Sequence, residues 1–274
     1  RDYYASRGLG DVYKRQLIHY ADLTDGGTCD SLTWTLVQDG TLTISGNGAV
    51  SYSNDAPWFP YRKQITAVVL EPGITGVGDS AFSEYSSLTG VTIPESVTSI
   101  GASAFYECSN LTNVTIPESV MSIGASAFYE CSNLTSVTIP EGVTSIGASA
   151  FYECSNLTNV TIPEGVTSIG ERTFSGCSSL TNVTIPEGVT SIGTFAFSGC
   201  TSLTSITIPE GVAEIAGGTF YGCTGLESMN LPEGLLSIAA DLDDNGYYVG
   251  AFENCTSLKS IVIPCLLYTS PSPR

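Results

Sequence analysis

Cysteine is the residue type best placed to do chemistry in this 274-residue chain, and its spacing argues against most of that chemistry. Seven of nine cysteines recur at intervals of 23 residues or, once, 32: Cys108, Cys131, Cys154, Cys177, Cys200, Cys223 and Cys255, with Tyr85 in the same place one interval earlier. The CxxC spacing of a zinc site never occurs. Rungs about 4.8 Å apart would bring such thiols within reach of one another. Seven in register cannot all pair, however, and Tyr85 shows that the position accepts a group without sulfur. The column reads as buried free thiols packing as small hydrophobes.

Carboxylates form a second recurring set. Glu95, Glu118, Glu141, Glu164, Glu187, Glu210 and Glu233 each follow a proline at one place in the repeat. Neighbours near 5 Å repel by under about 1 kcal/mol in water, so a solvated edge is tolerable. The alternative is a weak stripe for calcium, which takes oxygen ligands. Within the 32-residue interval, Asp241, Asp243 and Asn245 followed by Gly246 match the opening of a calcium loop. The twelfth position there is Phe252 instead of the bidentate glutamate, with Glu253 one place late. Two readings stand: calcium as the one conceivable cofactor, or a polar excursion from the repeat. Catalysis has no footing, because His19 is the single histidine and no Ser-His-Asp or Cys-His set can be assembled.

These columns exist because the chain repeats. Equivalent positions fall at Ile65, Leu88, Leu111, Leu134, Leu157, Leu180, Leu203, Leu226 and Leu258, as in LTNVTIPEGVTSIGERTFSGCSS from Leu157. Val160 and Ile162 alternate with Thr161, the two-residue period of a strand with one buried face. Pro163 ends that strand, Val166 and Ile169 make a shorter extended segment, Gly170 permits a bend, and Phe174 with Cys177 closes the coil inward. A single coil cannot bury enough to fold alone, so like must stack on like in a quasi-one-dimensional array. The expected architecture is a β-rich solenoid of right-handed coils with a parallel sheet and short helical or 3-10 turns. The outward strand positions then form an open face of Thr112, Asn113 and Thr115; Thr135, Ser136 and Thr138; Thr158, Asn159 and Thr161; Thr181, Asn182 and Thr184; and Thr204, Ser205 and Thr207. Strand propensity alone explains exposed threonine. A face lacking Trp, Tyr and Arg anchors would bind weakly per coil and depend on multivalency.

Outside the array, residues 17–64 read as an N-terminal capping region. LTWTLVQ and TLTISG flank Asp39-Gly40, a hairpin signal, and Trp34 with the Pro57-Trp58-Phe59-Pro60 cluster would cover the first coil. The solenoid occupies 65–264, with nine coils, the last cut short, and an insertion near 239–248. Residues 1–16 and 265–274 share neither composition nor rhythm with the rest and resemble translated sequencing adapter, so a leader or anchor would be lost by truncation. Those ends hold five of the nine basic residues and two of the 27 acidic ones, leaving four and 25 between them. Nucleic acid and anionic membrane surfaces are poor partners for such a chain.

LTNVTIPEGVTSIG followed by AF and Cys resembles the BspA-like leucine-rich-repeat family of bacterial surface proteins, and TCDSLTWTLVQDGTLTISGNG is similar to the segment that often precedes such arrays. The resemblance spans about 29–264. It implies a cell-surface or secreted protein of host-associated bacteria that adheres to proteins or cells, with no catalytic motif; the scarcity of basic residues separately excludes nucleic acid, and no apolar run reaches the length of a membrane span. The alternative is a spacer that holds another domain away from the surface. A threonine array for binding ice is the third reading, disfavoured because such arrays curve and ice is flat.

Overall fold

The computed structural model describes residues 23–51 and 54–264; the adapter-like ends, His19 and Cys265 lie outside them. Three antiparallel strands open the fold: β1 (Leu23–Cys29), β2 (Leu32–Val37) and β3 (Thr41–Gly46). Strand β2 alternates buried Leu32, Trp34 and Leu36 with more exposed neighbours, as the hairpin reading requires. Gly40, at φ 88°, donates to the Val37 carbonyl across the turn. Strand β1, LTDGGTC, gives no alternating signal in the sequence, and Tyr61 ties it down by donating its hydroxyl to Asp25.

The hairpin is continuous with the solenoid. Strand β3 pairs in parallel with β5 (Ala67–Leu70), and β4 (Gly48–Val50) pairs in parallel with β6 (Ile74–Val77). From there two parallel ladders run up the molecule, the longer continuous to Asn182–Thr184 and the shorter to Ser145–Ile146 before each continues as two-stranded pairs. The longer strands place Val137 beside Val114 and Val183 beside Val160; the two-residue strands place Ile146 beside Ile123 and Ile192 beside Ile169. Like therefore lies on like, one 23-residue step apart.

The third side of each coil holds no helix. Among the described residues the one 3-10 helix is Phe59–Tyr61, before the repeats, so the short helical turns expected within the coils are replaced by another device. Ser103 and Glu107 adopt φ of 54°, their counterparts up the array are also left-handed, and left-handed residues every fourth place cannot sit in an α-helix. Their N–H groups instead bond to the next coil: Ser103 to the Ala125 carbonyl, Phe105 to that of Ala127, Glu107 to that of Tyr129, at 2.7–2.8 Å. The corner is a third ladder between coils, which satisfies backbone groups that a helix would satisfy internally.

Inside, the phenylalanines from Phe82 to Phe252 form one stack, with centroids 5.3–5.8 Å apart. Phe252 joins it although 32 residues separate it from Phe220, because the extra chain is extruded as a hairpin of Ala240–Leu242 and Tyr248–Gly250. All eight described cysteines are free thiols. Those of the column donate to the Phe carbonyl of the preceding coil, from Cys108 to Phe82 at 3.1 Å through Cys255 to Phe220 at 3.0 Å. Burial pushes the Cys108 and Cys223 thiols up to about 12. Tyr85 takes the thiol's place where the array meets the cap, packing edge-on to Phe82 with its phenol beside Trp58.

Candidate binding surfaces

All fifteen outward strand residues named above, from Thr112 to Thr207, are exposed on the sheet. The structure adds a reason for one file of them. Thr89, Thr112, Thr135, Thr158 and Thr181 each donate the side-chain hydroxyl to the backbone carbonyl of the equivalent threonine one coil back, at 2.9–3.3 Å. Asn159 and Asn182 donate to the hydroxyls of Thr158 and Thr181, and Asn182 also reaches the Asn159 carbonyl oxygen at 3.3 Å. Asn113 stands likewise to Thr112, and Ser136 donates to Asn113. These hydrogen bonds restrict the side-chain rotamers of the file. Thr115, Thr138, Thr161 and Thr184 form a parallel exposed file on the same face.

The glutamates that follow the prolines, Glu95 to Glu233, all lie exposed. No three carboxylate, thiol or imidazole groups gather as a metal site among the described residues. Within the inserted hairpin, Asp243 and Asn245 meet but Asp241 turns away. Asp243 accepts the backbone N–H of Asn245 at 2.9 Å and of Tyr247 at 2.8 Å, and these bonds, Tyr247 foremost, lower its pKa. Asp241 accepts from Thr194 at 3.3 Å, and Asp244 pairs with Arg172. The D-x-D-x-N-G pattern thus closes a β-turn, with Gly246 at φ 80°.

That hairpin folds back along the corner of three earlier coils. It meets Gly217 one coil away, Thr194 two away and Arg172 three away, and the Arg172 guanidinium also lies 5.4 Å from the Phe195 ring. A Cβ on Gly217 would come within 2.2 Å of the Asp241 backbone nitrogen, and one on Gly218 within 2.2 Å of the Phe195 ring. Tyr247 and Tyr248, 71% and 77% exposed, are carried outward on it.

A further surface escaped the sequence reading. Tyr106, Tyr129 and Tyr152 stack on the corner with centroids 4.7 and 4.5 Å apart, each followed by a glutamate: Glu107, Glu130 and Glu153. Beside them runs a groove of about 530 Å³ lined by Tyr152, those three glutamates, and Ser86, Ser109, Ser132 and Ser155. Burial first, and then Tyr152 and Glu130, push the Tyr129 phenol up to about 12. Partial burial and then Glu130 raise the Glu153 carboxyl. The signal lay in the thrice-repeated AFYEC, which gives way to TFSGC, AFSGC and TFYGC from Thr173 onward.

A family model described as the BspA type leucine rich repeat region matches residues 56–177 and 144–271, in six copies. Among solved structures, a leucine rich repeat protein of T. pallidum aligns at 27% identity, covering 90% of this chain and 94% of the other, with a TM-score of 0.53. A leucine rich cell surface protein of Faecalibacterium prausnitzii aligns at 25% identity over 88% and 95% of the two chains, with a TM-score of 0.34, too loose to argue from. No curated protein matches.

Proposed function

Since this chain belongs to the BspA type leucine-rich-repeat family, we propose that it is a protein-binding module, displayed on or secreted from a bacterial cell, whose sheet face adheres to partner proteins. The observation that carries this reading is the fixed file of side chains. With their hydroxyl protons bonded to the preceding coil, Thr112, Thr135, Thr158 and Thr181 are side chains that need little further ordering on contact. Preorganisation lowers the entropic cost of association, which suits a broad face of weak contacts. No helix among the described residues is long and apolar enough to cross a membrane. A binding role also agrees with a surface that repeats its carboxylates coil after coil, whereas general acid-base catalysis uses a tuned pair.

The test displays the chain as an array on beads against a panel of purified extracellular-matrix proteins. Retention by the native face, lost when Thr115, Thr138, Thr161 and Thr184 are all replaced by lysine, supports it. Equal retention by both, or by neither, rejects it. The near-identity of the coils from Leu88 to Asn156 favours a second reading, a spacer that carries another domain. A full-length protein in which a separate domain alone accounts for all binding would select the spacer.

A further inference from the structure

We propose that the groove beside the tyrosine column docks an extended, arginine- or lysine-bearing segment of a partner protein. It lies on the turn side of the coils, and the proposal does not depend on the threonine face binding anything.

The groove is lined chiefly by carboxylates and hydroxyls, with no basic side chain. Glu107, Glu130 and Glu153 supply one carboxylate per coil along it. The hydroxyls of Ser132 and Ser155 donate to the Ser109 and Ser132 carbonyls at 3.4 Å, which leaves their oxygen lone pairs outward. The Tyr106 and Tyr129 phenols lie near the glutamates that follow them. The carboxylates favour a ligand that brings donors and positive charge.

Its form follows from the spacing. Since no three carboxylates converge tightly enough for a metal ion among the described residues, the charge has to be distributed. Side chains two residues apart on an extended peptide are about 7 Å apart, within the two-coil span of about 10 Å from Glu107 to Glu153. Guanidinium fits best, because its planar fork can take a carboxylate with two hydrogen bonds. The native basic side chains do not fill the groove: Arg172, beyond its far end, is held by Glu171 and Asp244. That end is fixed at Gly176, where a Cβ would come within 2.5 Å of the Glu153 carboxyl carbon, so the column covers three coils and suits two or three cationic residues.

The test titrates the whole chain with a labelled Arg-Gly alternating heptapeptide at low salt, beside a Glu-Gly heptapeptide and spermine. The Arg-Gly peptide should bind at least tenfold more weakly to the E107Q/E130Q/E153Q variant, and also to E130K. It should bind within twofold of native to E118Q/E141Q/E164Q, which removes the same charge from the sheet edge. Melting curves by circular dichroism confirm that each variant is folded. Absence of Arg-Gly binding, equal losses in the two triple variants, or affinity for spermine equal to that for the peptide would overturn the proposal.

Discussion

From Leu88 to Asn156 the corner of each coil reads Ala-Ser-Ala-Phe-Tyr-Glu, with Ser103, Ser126 and Ser149 at φ 54–56°. In the next three coils that place holds Arg172, Phe195 and Gly218, also with positive φ, and the glutamate immediately before each cysteine gives way to glycine in Gly176, Gly199 and Gly222. The phenylalanine and cysteine files and the corner bonds between coils run through both regions. What differs is that the second lies under the hairpin 240–250, and the substitutions are graded to it. Arg172 reaches three coils to Asp244, Phe195 fills the space between, and glycine allows the backbones to approach where the hairpin emerges. The uniform coils leave the corner open and keep the Tyr-Glu groove; the graded coils use it to seat the insertion. A solenoid's interior thus demands uniformity, whereas its corner is free to specialise.

Changes to the core that both regions share should have the largest effects. A thiol raised by burial favours the folded state below the free thiol's pKa of 9.0, and that stability is lost as pH rises toward its folded value, about 12 for Cys108. Each fully buried column thiol, Cys108 to Cys223, should then cost up to roughly 1.4 kcal/mol per pH unit above 9. Melting temperature should fall steeply from pH 9 to 11, whereas at pH 8 a thiol reagent should label Cys29, exposed to solvent in part, and spare Cys108 to Cys223. Phe151→Ala, within the stack, should destabilise by about 3–5 kcal/mol in chemical denaturation. Phe252→Ala, at the half-buried end of the stack, should cost visibly less.

Smaller effects separate the two regions. Gly217→Ala should cost roughly 1–3 kcal/mol and lift the hairpin, read as faster amide exchange at 240–250 with residues 88–156 unchanged. Ser126→Gly removes a left-handed serine and should raise stability by under about 1 kcal/mol, the gain offset in part by the freer unfolded chain. Arg172→Ala breaks a solvent-exposed ion pair and should shift global stability by less than about 1 kcal/mol while loosening the hairpin alone.

The array was legible because its signal is redundant: Val160, Ile162, Phe174 and Cys177 each recur at one period, so a single alignment fixes strands, core and register together. The β2–β3 hairpin was legible from Asp39-Gly40 between alternating strands. Strand β1 was not, since Gly26 and Gly27 carry no side chains to show a buried face and the pairing is set by its partner. The corner misled for a similar reason: Ser103 and Glu107 look like ordinary turn or helix residues, and the bonds that hold them left-handed come from the next coil. The threonine face was found by alternation, but its inter-coil hydroxyl bonds needed coordinates. Asp241, Asp243 and Asn245 matched a motif whose residues also make a capped β-turn, and spacing alone cannot distinguish the two. The Tyr-Glu column was visible as a repeated pair, and only stacking shows that it borders a groove.

Everything rests on equivalent side chains lying in continuous files through both regions. Ring-to-ring magnetisation transfer between selectively labelled phenylalanines tests this most directly. Contacts should link Phe105 to Phe128, Phe128 to Phe151, Phe151 to Phe174 and onward to Phe252, with none between rings two coils apart. Missing neighbour contacts, or a break between Phe220 and Phe252, would contradict the register and the extruded hairpin with it.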